Sequence, residues 1–173
     1  MPSPPSRIVV PPPALVVLVG PAGAGKTTFA RARFAPTEVL SSDFYRGLVS
    51  DDEGDQSVSP QAFAVLRSVA ARRLKIGRLT VIDATNLKRS HRRPFLHLAE
   101  RANRPAIAIV FDLPLPVCLA RNRLRRGRQV EEDAIRDQWI DLPRPASELL
   151  EEGFAAVYEF HDPGDAAAAD IVR

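Results

Sequence analysis

One cysteine, Cys118, and three lysines, Lys26, Lys75 and Lys88, are all that 173 residues contain of either type. A lone cysteine excludes an internal disulfide and any cysteine-based metal cluster. With so little lysine, 21 of the 24 cations are arginine, a skew that a coding bias toward Arg, Ala and Pro explains. Long apolar runs are also missing. The longest, Ala14 to Val19, is far too short to cross a bilayer, so no membrane association is expected. The opening MPSPPSR has neither the charged-then-apolar layout nor the cleavage pattern of a signal peptide, and a cytoplasmic protein is the expectation. The mixture of 45% hydrophobic and 26% charged residues is ordinary for a globular chain, and the length fits one domain over residues 1–173. Residues 1–13 are proline-rich and read as an irregular lead-in. The net charge of +3 suits a polyanionic partner.

Strands and helices alternate along the chain. Ala14–Val19, Glu38–Ser42, Leu79–Ala84, Ala106–Asp112 and Ala155–Phe160 read as strands, the first as a β-branched run buried on both faces. Helices are expected over 28–34, 59–76, 90–103, 116–126, 131–140 and 146–152, with Ser59 as an N-cap ahead of Pro60 and with Pro94 in a first turn. Such alternation gives an α/β fold with a mostly parallel central sheet and helices on both faces. Ligands of such sheets bind beyond the carboxyl ends of the strands. Gly20, Asp43, Asp83 and Asp112 each follow a strand and fall along that rim.

Between the first strand and the first helix lies GPAGAGKT, residues 20–27, a complete GxxxxGK[ST] phosphate loop in its required context. Gly20, Gly23, Ala24 and Gly25 let the backbone wrap a triphosphate, and Thr28 continues into a helix whose N-terminus favours anions. Lys26 supplies a movable cation and the Thr27 hydroxyl a magnesium ligand. The cofactors expected are ATP or another NTP, and Mg²⁺. No guanine-reading NKxD is present, since Asn86-Leu87-Lys88 lacks its aspartate, which argues against a GTPase. A motor usually needs a larger chain or an oligomer. A kinase needs a base beside the acceptor hydroxyl and cations around the moving phosphoryl group. Asp43, just past the second strand, is placed to be that base, and Arg46 shares its face one turn later to orient it or hold an acceptor phosphate. Arg121, Arg125 and Arg128 recur at i, i+4 and i+7, and Gly127 breaks the segment, so these arginines fit a lid over the triphosphate. Arg123 and Arg126 read as a solvated face. Asp83 is either a Walker-B-like metal residue or a turn cap, and Asp112 a turn former. The three histidines carry no catalytic assignment, Cys118 reads as core, and the acidic stretch 51–55 as solvated loop. Site chemistry alone leaves open a polynucleotide kinase, a kinase of a sugar, nucleoside or antibiotic hydroxyl, and a non-catalytic nucleotide-gated nucleic-acid-binding module.

Four blocks together narrow the choice: GPAGAGKTTFA, SSDFYRGLVSDDEGDQ, TVIDATN and RNRLRRGRQVEE. In combination they closely resemble the kinase domain of bacterial polynucleotide kinase–phosphatase, an RNA end-healing enzyme related to phage 5′-OH polynucleotide kinase. The likeness runs from about Ile8 to the C-terminus. It implies a P-loop NTPase/phosphotransferase fold with an arginine-bearing lid, moving the γ-phosphate of an NTP to the 5′-OH end of RNA or DNA during repair. It further implies Lys26 and Thr27 at the triphosphate and metal, Asp43 as general base, Arg46 as acceptor-side arginine, Arg121 and Arg128 around the nucleotide, and Gln56 in the acceptor pocket. Thr27 stands where the family has serine, with the same hydroxyl. Family members often carry phosphatase and ligase domains after the kinase, so the resemblance leaves open a stand-alone kinase or a kinase working with such domains or partners.

Overall fold

The computed structural model describes residues 7–173. Five parallel strands form the main sheet: β2 (Leu15–Val19), β3 (Val39–Ser41), β4 (Thr80–Asp83), β5 (Ala106–Phe111) and β6 (Ala156–Phe160), in the order β3-β4-β2-β5-β6. All residues of β2, β4 and β5 are buried, as expected for strands covered on both faces. Because side chains alternate along a strand, Val16 and Leu18 enter one apolar layer while Leu15, Val17 and Val19 enter the other.

The Val16 layer packs against α1 (Lys26–Arg33), α5 (Leu115–Arg123) and α6 (Glu132–Ile140). Phe29 sits at its centre, edge-on to Phe34, Phe111 and Phe160 with ring centroids 5.5–6.2 Å apart. The opposite layer packs against α2 (Ser42–Ser50), α3 (Ser59–Lys75), α4 (Arg89–Arg101) and α7 (Glu148–Glu152). On α3 it uses Ala62, Leu66, Ala70 and Leu74, one apolar stripe at helical spacing.

Several boundaries differ from the sequence reading. Arg7–Val9 is not irregular: it forms β1, which pairs in parallel with β7 (Asp170–Val172) after the short helix α8 (Pro163–Ala168). Residues 1–6 of the proline-rich stretch lie outside the described residues. Ser59 is the first residue of α3, and Val58 holds the capping position. Pro94 lies inside α4, past its first turn, where a proline removes an intrahelical hydrogen bond. The helix through Cys118 stops at Arg123. The reason is Asn122, whose amide nitrogen donates to the Val130 carbonyl at 2.8 Å and whose carbonyl accepts from the Val130 N–H at 2.9 Å. These two hydrogen bonds tie the end of the helix to Val130 and turn the intervening loop out of the helix.

One buried ion pair frames the region after β4. Arg92 forks onto Glu152 at 2.9 and 2.5 Å, and its third nitrogen donates to the carbonyls of Asn86 and Leu87. Both side chains are almost fully buried, at 4% and 10% exposure. Removing one partner of such a pair strands the other charge. Arg92→Met is therefore expected to lower the unfolding free energy by about 3 kcal/mol, measured by urea denaturation. A loss below about 1 kcal/mol would deny the pair its structural role.

Candidate active site

The carboxyl ends of β2, β3 and β4 open onto a cleft of about 1780 Å³, larger than the roughly 300–1,000 Å³ of a typical small-ligand site. Gly23, Ala24, Gly25, Lys26, Thr27, Thr28, Asp43, Arg46, Gln56, Asp83, Arg121, Arg125 and Arg128 all line it. Gly20 does not: it is buried behind the loop, and its N–H is taken by the Thr85 carbonyl at 3.0 Å, so that group is not free for a phosphate.

The phosphate loop is shaped by close approach to α5. Gly23 has φ +79°, and a Cβ there would meet the Cys118 carbonyl oxygen at 2.2 Å. Gly25, at φ +90°, precedes α1, and a Cβ there would lie 2.6 Å from Arg121 Nη1. The N–H groups of Lys26, Thr27 and Thr28 fall in the first turn of α1, where a helix provides no internal acceptor. They are the donors an anion would use. Arg121 lies over the loop, donating to the Ala24 carbonyl at 3.4 Å.

Inside this cradle Lys26 is buried and donates to the Pro21 carbonyl at 2.7 Å. Burial lowers its pKa to about 8, against the opposing pull of Asp83. Thr27 donates from Oγ1 to Asp83 Oδ2 at 2.7 Å, and burial pushes the Asp83 carboxyl above its ordinary range despite Lys26 nearby. Desolvation thus opposes charge on both side chains, and a cation beside Asp83 together with an anion beside Lys26 would reverse that. Among the described residues no group of three or more His, Cys, Asp or Glu is assembled for a metal. One hydroxyl touching one buried carboxylate instead matches a magnesium site that takes most of its ligands from water and phosphate. Thr27 and Asp83 fit that group.

Across the cleft, Ser41 caps α2, accepting from the Phe44 N–H at 3.5 Å, so Asp43 is in the first turn and is not the cap. Its carboxylate is held by a charged hydrogen bond from Arg46 and faces Arg128, whose Nη1 is 3.9 Å away. Arg46 is itself buried and anchored by Nε to the Glu53 carbonyl at 2.9 Å. Arg125 and Arg128 reach the cleft from the pinned loop and not from one continuous helix face, since only Arg121 of the three is helical. Arg123, expected to be solvated, bonds Glu132 at 2.6 Å while remaining exposed. Gln56 is exposed at the cleft mouth, accepting from Ser59. Asp112 takes a bidentate grip from Arg144 and does not line the cleft.

Two supporting residues were assigned no role from the sequence, although Asn86 closes the TVIDATN block. Gln138 of α6 accepts from the Ala22 N–H at 2.8 Å, tying that helix to the phosphate loop. Asn86 donates to the Leu18 carbonyl at 2.8 Å, joining the ends of β2 and β4. Asn122 did leave a trace: it shares the buried face of α5 with Cys118 and Leu119.

A parallel sheet with a GxxxxGKT loop at the end of its central strand is the fold of the P-loop kinases. The chain belongs to the AAA domain family, whose model matches residues 15–145. Comparison with curated proteins finds no match. Among solved structures, a chain of the Pnkp1/Rnl/Hen1 RNA repair complex is 24% identical with TM-score 0.66, over 83% of this chain and 46% of that one. A sugar kinase from Janibacter sp. HTCC2649 is 21% identical with TM-score 0.60, over 91% and 90%. Kti12 from Chaetomium thermophilum, in complex with ADP-AlF3, is 16% identical with TM-score 0.61, over 88% and 93%. At these identities the likeness is one of fold. This chain spans less than half of the RNA repair chain. Among the described residues no helix is long and apolar enough to cross a membrane.

Proposed function

We propose that this chain is a polynucleotide 5′-hydroxyl kinase that moves the γ-phosphate of ATP or another NTP to a 5′-OH end of RNA or DNA during end healing. The observation that carries the reading is the Asp43–Arg46 pair, which opens onto the same cleft as the phosphate loop, with Arg128 beside the same carboxylate. The combined sequence blocks at these positions support it.

In this reading the 5′ oxygen forms its bond to the γ-phosphorus as the bond from that phosphorus to the β–γ bridging oxygen breaks, and the nucleoside diphosphate leaves. Asp43 accepts the proton of the 5′ hydroxyl. Arg46 holds Asp43 in place and offers a second N–H to an acceptor phosphate. Lys26, Arg121, Arg125 and Arg128 surround the triphosphate with positive charge where negative charge shifts during transfer. Gln56 borders the acceptor mouth. Thr27 and Asp83 would hold a magnesium ion, which would supply neutralising charge to the triphosphate.

Incubation with γ-labelled ATP and 5′-OH RNA and DNA oligomers is expected to place the label at the 5′ end. Label on a sugar or nucleoside but on no oligomer would assign the site to a small-molecule kinase. Oligomer binding with no transfer at all would leave only a nucleotide-gated binding module. Arg46→Lys is expected to lower kcat/KM for the oligomer at least tenfold, about 1.4 kcal/mol, because an ammonium cannot reproduce the guanidinium fork. An unchanged kcat/KM would remove Arg46 from the acceptor side.

A further inference from the structure

Two of the cleft arginines, Arg125 and Arg128, sit on a stretch that is exposed from residue 124 to residue 129. Gly127, at φ +97°, has open space where a side chain would stand. The two arginines are held in different ways. Arg125 continues the last turn of α5, its N–H donating to the backbone carbonyl of Asn122 at 3.2 Å. Arg128 stands two residues before Val130, at most about 7 Å of chain. Both polar backbone groups of Val130 are taken by the Asn122 side chain, which is 2% exposed. An asparagine amide carries an acceptor and a donor side by side and can hold both at once. Gln129 adds one bond to the Arg123 carbonyl at 3.1 Å. The Arg123–Glu132 pair spans the same ends, but it lies in solvent, where such a pair contributes little. The Arg128 side chain has a second fixed point. A Cβ at Gly54 would lie 3.0 Å from Arg128 Cδ and 3.4 Å from its Nε, so the stem rests on bare backbone. Gly54 is itself held by Asp52, whose Oδ1 accepts from its N–H at 2.8 Å. From that seat Arg128 Nη1 comes to 3.9 Å from Asp43 Oδ1.

We infer that the Asn122 side chain and Gly54 are positioning residues for phosphoryl transfer, acting together through Arg128. The clasp on Val130 sets the backbone next to Arg128, and Gly54 leaves room for its stem. Together they hold the guanidinium at the seam between the Asp43 carboxylate and the phosphate loop. The inference rests on the proposed kinase reading, in which Arg128 meets the charge that shifts during transfer. A donor already in place needs no reorganisation when that charge develops. An arginine on a free loop would first have to lose its rotamer freedom. Arg125 is outside this device, because a backbone bond holds it whatever side chain stands at position 122.

The test is a double-mutant cycle in the full chain. Asn122→Ala removes both clasp bonds, while the Val130 side chain stays packed against the Val16 layer and keeps the loop attached. Gly54→Val fills the seat of Arg128 from the other side and leaves the clasp intact. Each is expected to slow single-turnover transfer from labelled ATP about tenfold, with ATP affinity changed less than about threefold. Arg128→Ala alone is expected to slow transfer about a hundredfold. In the Arg128→Ala background neither substitution should slow it further. Losses that multiply would overturn the inference, since a merely structural role adds its effect whatever stands at position 128. The second readout needs no transfer: trypsin cleavage after Arg126 and Arg128 is expected to be at least about tenfold faster in Asn122→Ala. Cleavage at the wild-type rate would show that the clasp does not hold the loop, and would also overturn the inference. Label reaching a sugar or nucleoside but no oligomer would overturn the 5′-end reading alone, and the same cycle run on that acceptor then decides the clasp.

Discussion

Asp43→Asn is expected to slow phosphoryl transfer about 10²–10⁴-fold while changing NTP affinity less than about threefold. The substitution keeps the shape of the side chain and removes its ability to accept a proton. Ser41, not Asp43, caps α2, so the helix and its angle into the cleft survive. Arg46 retains its bond to the Glu53 carbonyl and stays in place. The nucleotide cradle is built from α1, the preceding loop and Arg121, and the described contacts of Asp43 are with Arg46 and Arg128. Single-turnover transfer from labelled ATP gives the rate, and calorimetry gives the affinity. A variant that turns over at the wild-type rate would show that Asp43 is not the base. A variant that also loses NTP binding would place Asp43 in the nucleotide pocket instead.

Lys26→Met is the second large effect. It removes a cation buried against the phosphate loop and is expected to cut transfer more than about a thousandfold. Stabilisation by nucleotide should vanish with it. Wild type in the presence of ATP at 100 times Kd is expected to gain about 2.7 kcal/mol, and the variant nothing measurable. The same residue predicts a pH dependence. Its pKa without nucleotide is lowered to about 8 by burial, so it is charged below that pH and becomes neutral as the pH rises through it. Triphosphate binds the charged form and raises this pKa again. Affinity should therefore be nearly flat below about pH 7 and fall about tenfold between pH 7 and pH 9. An affinity that rises with pH would contradict the assignment.

The sheet was legible because its central strands are uninterrupted aliphatic runs, and the phosphate loop because GPAGAGKT completes GxxxxGK[ST] between a strand and a helix. The pairing of β1 with β7 was not. Each is three residues long, and no local pattern marks strands joined from opposite ends of the chain. The loop 124–131 was anticipated only as a break at Gly127, whereas the helix already ends at Arg123. Periodicity carried the arginines along one helix, whereas Asn122 and Val130 close a loop by side-chain bonds that periodicity does not register.

At the site, the place of Asp43 on the cleft could be read from its position after a strand and before a helical arginine. Gly20 was misplaced because the motif marks it as part of the loop while its N–H is spent on Thr85. Gln138 and the Arg92–Glu152 pair were invisible for one shared reason: their partners lie 116 and 60 residues away. Such contacts are fixed by how the helices pack, and neither neighbouring residues nor spacing announces them.

The most direct measurement is the structure of a ternary complex with a 5′-OH oligonucleotide and a non-hydrolysable NTP analogue. The account predicts the 5′ oxygen within hydrogen-bond reach of the Asp43 carboxylate, about 2.6–3.2 Å, with the γ-phosphate beyond it against Lys26. A strand end seated elsewhere, or an Asp43 carboxylate turned away from the γ-phosphate, would contradict it.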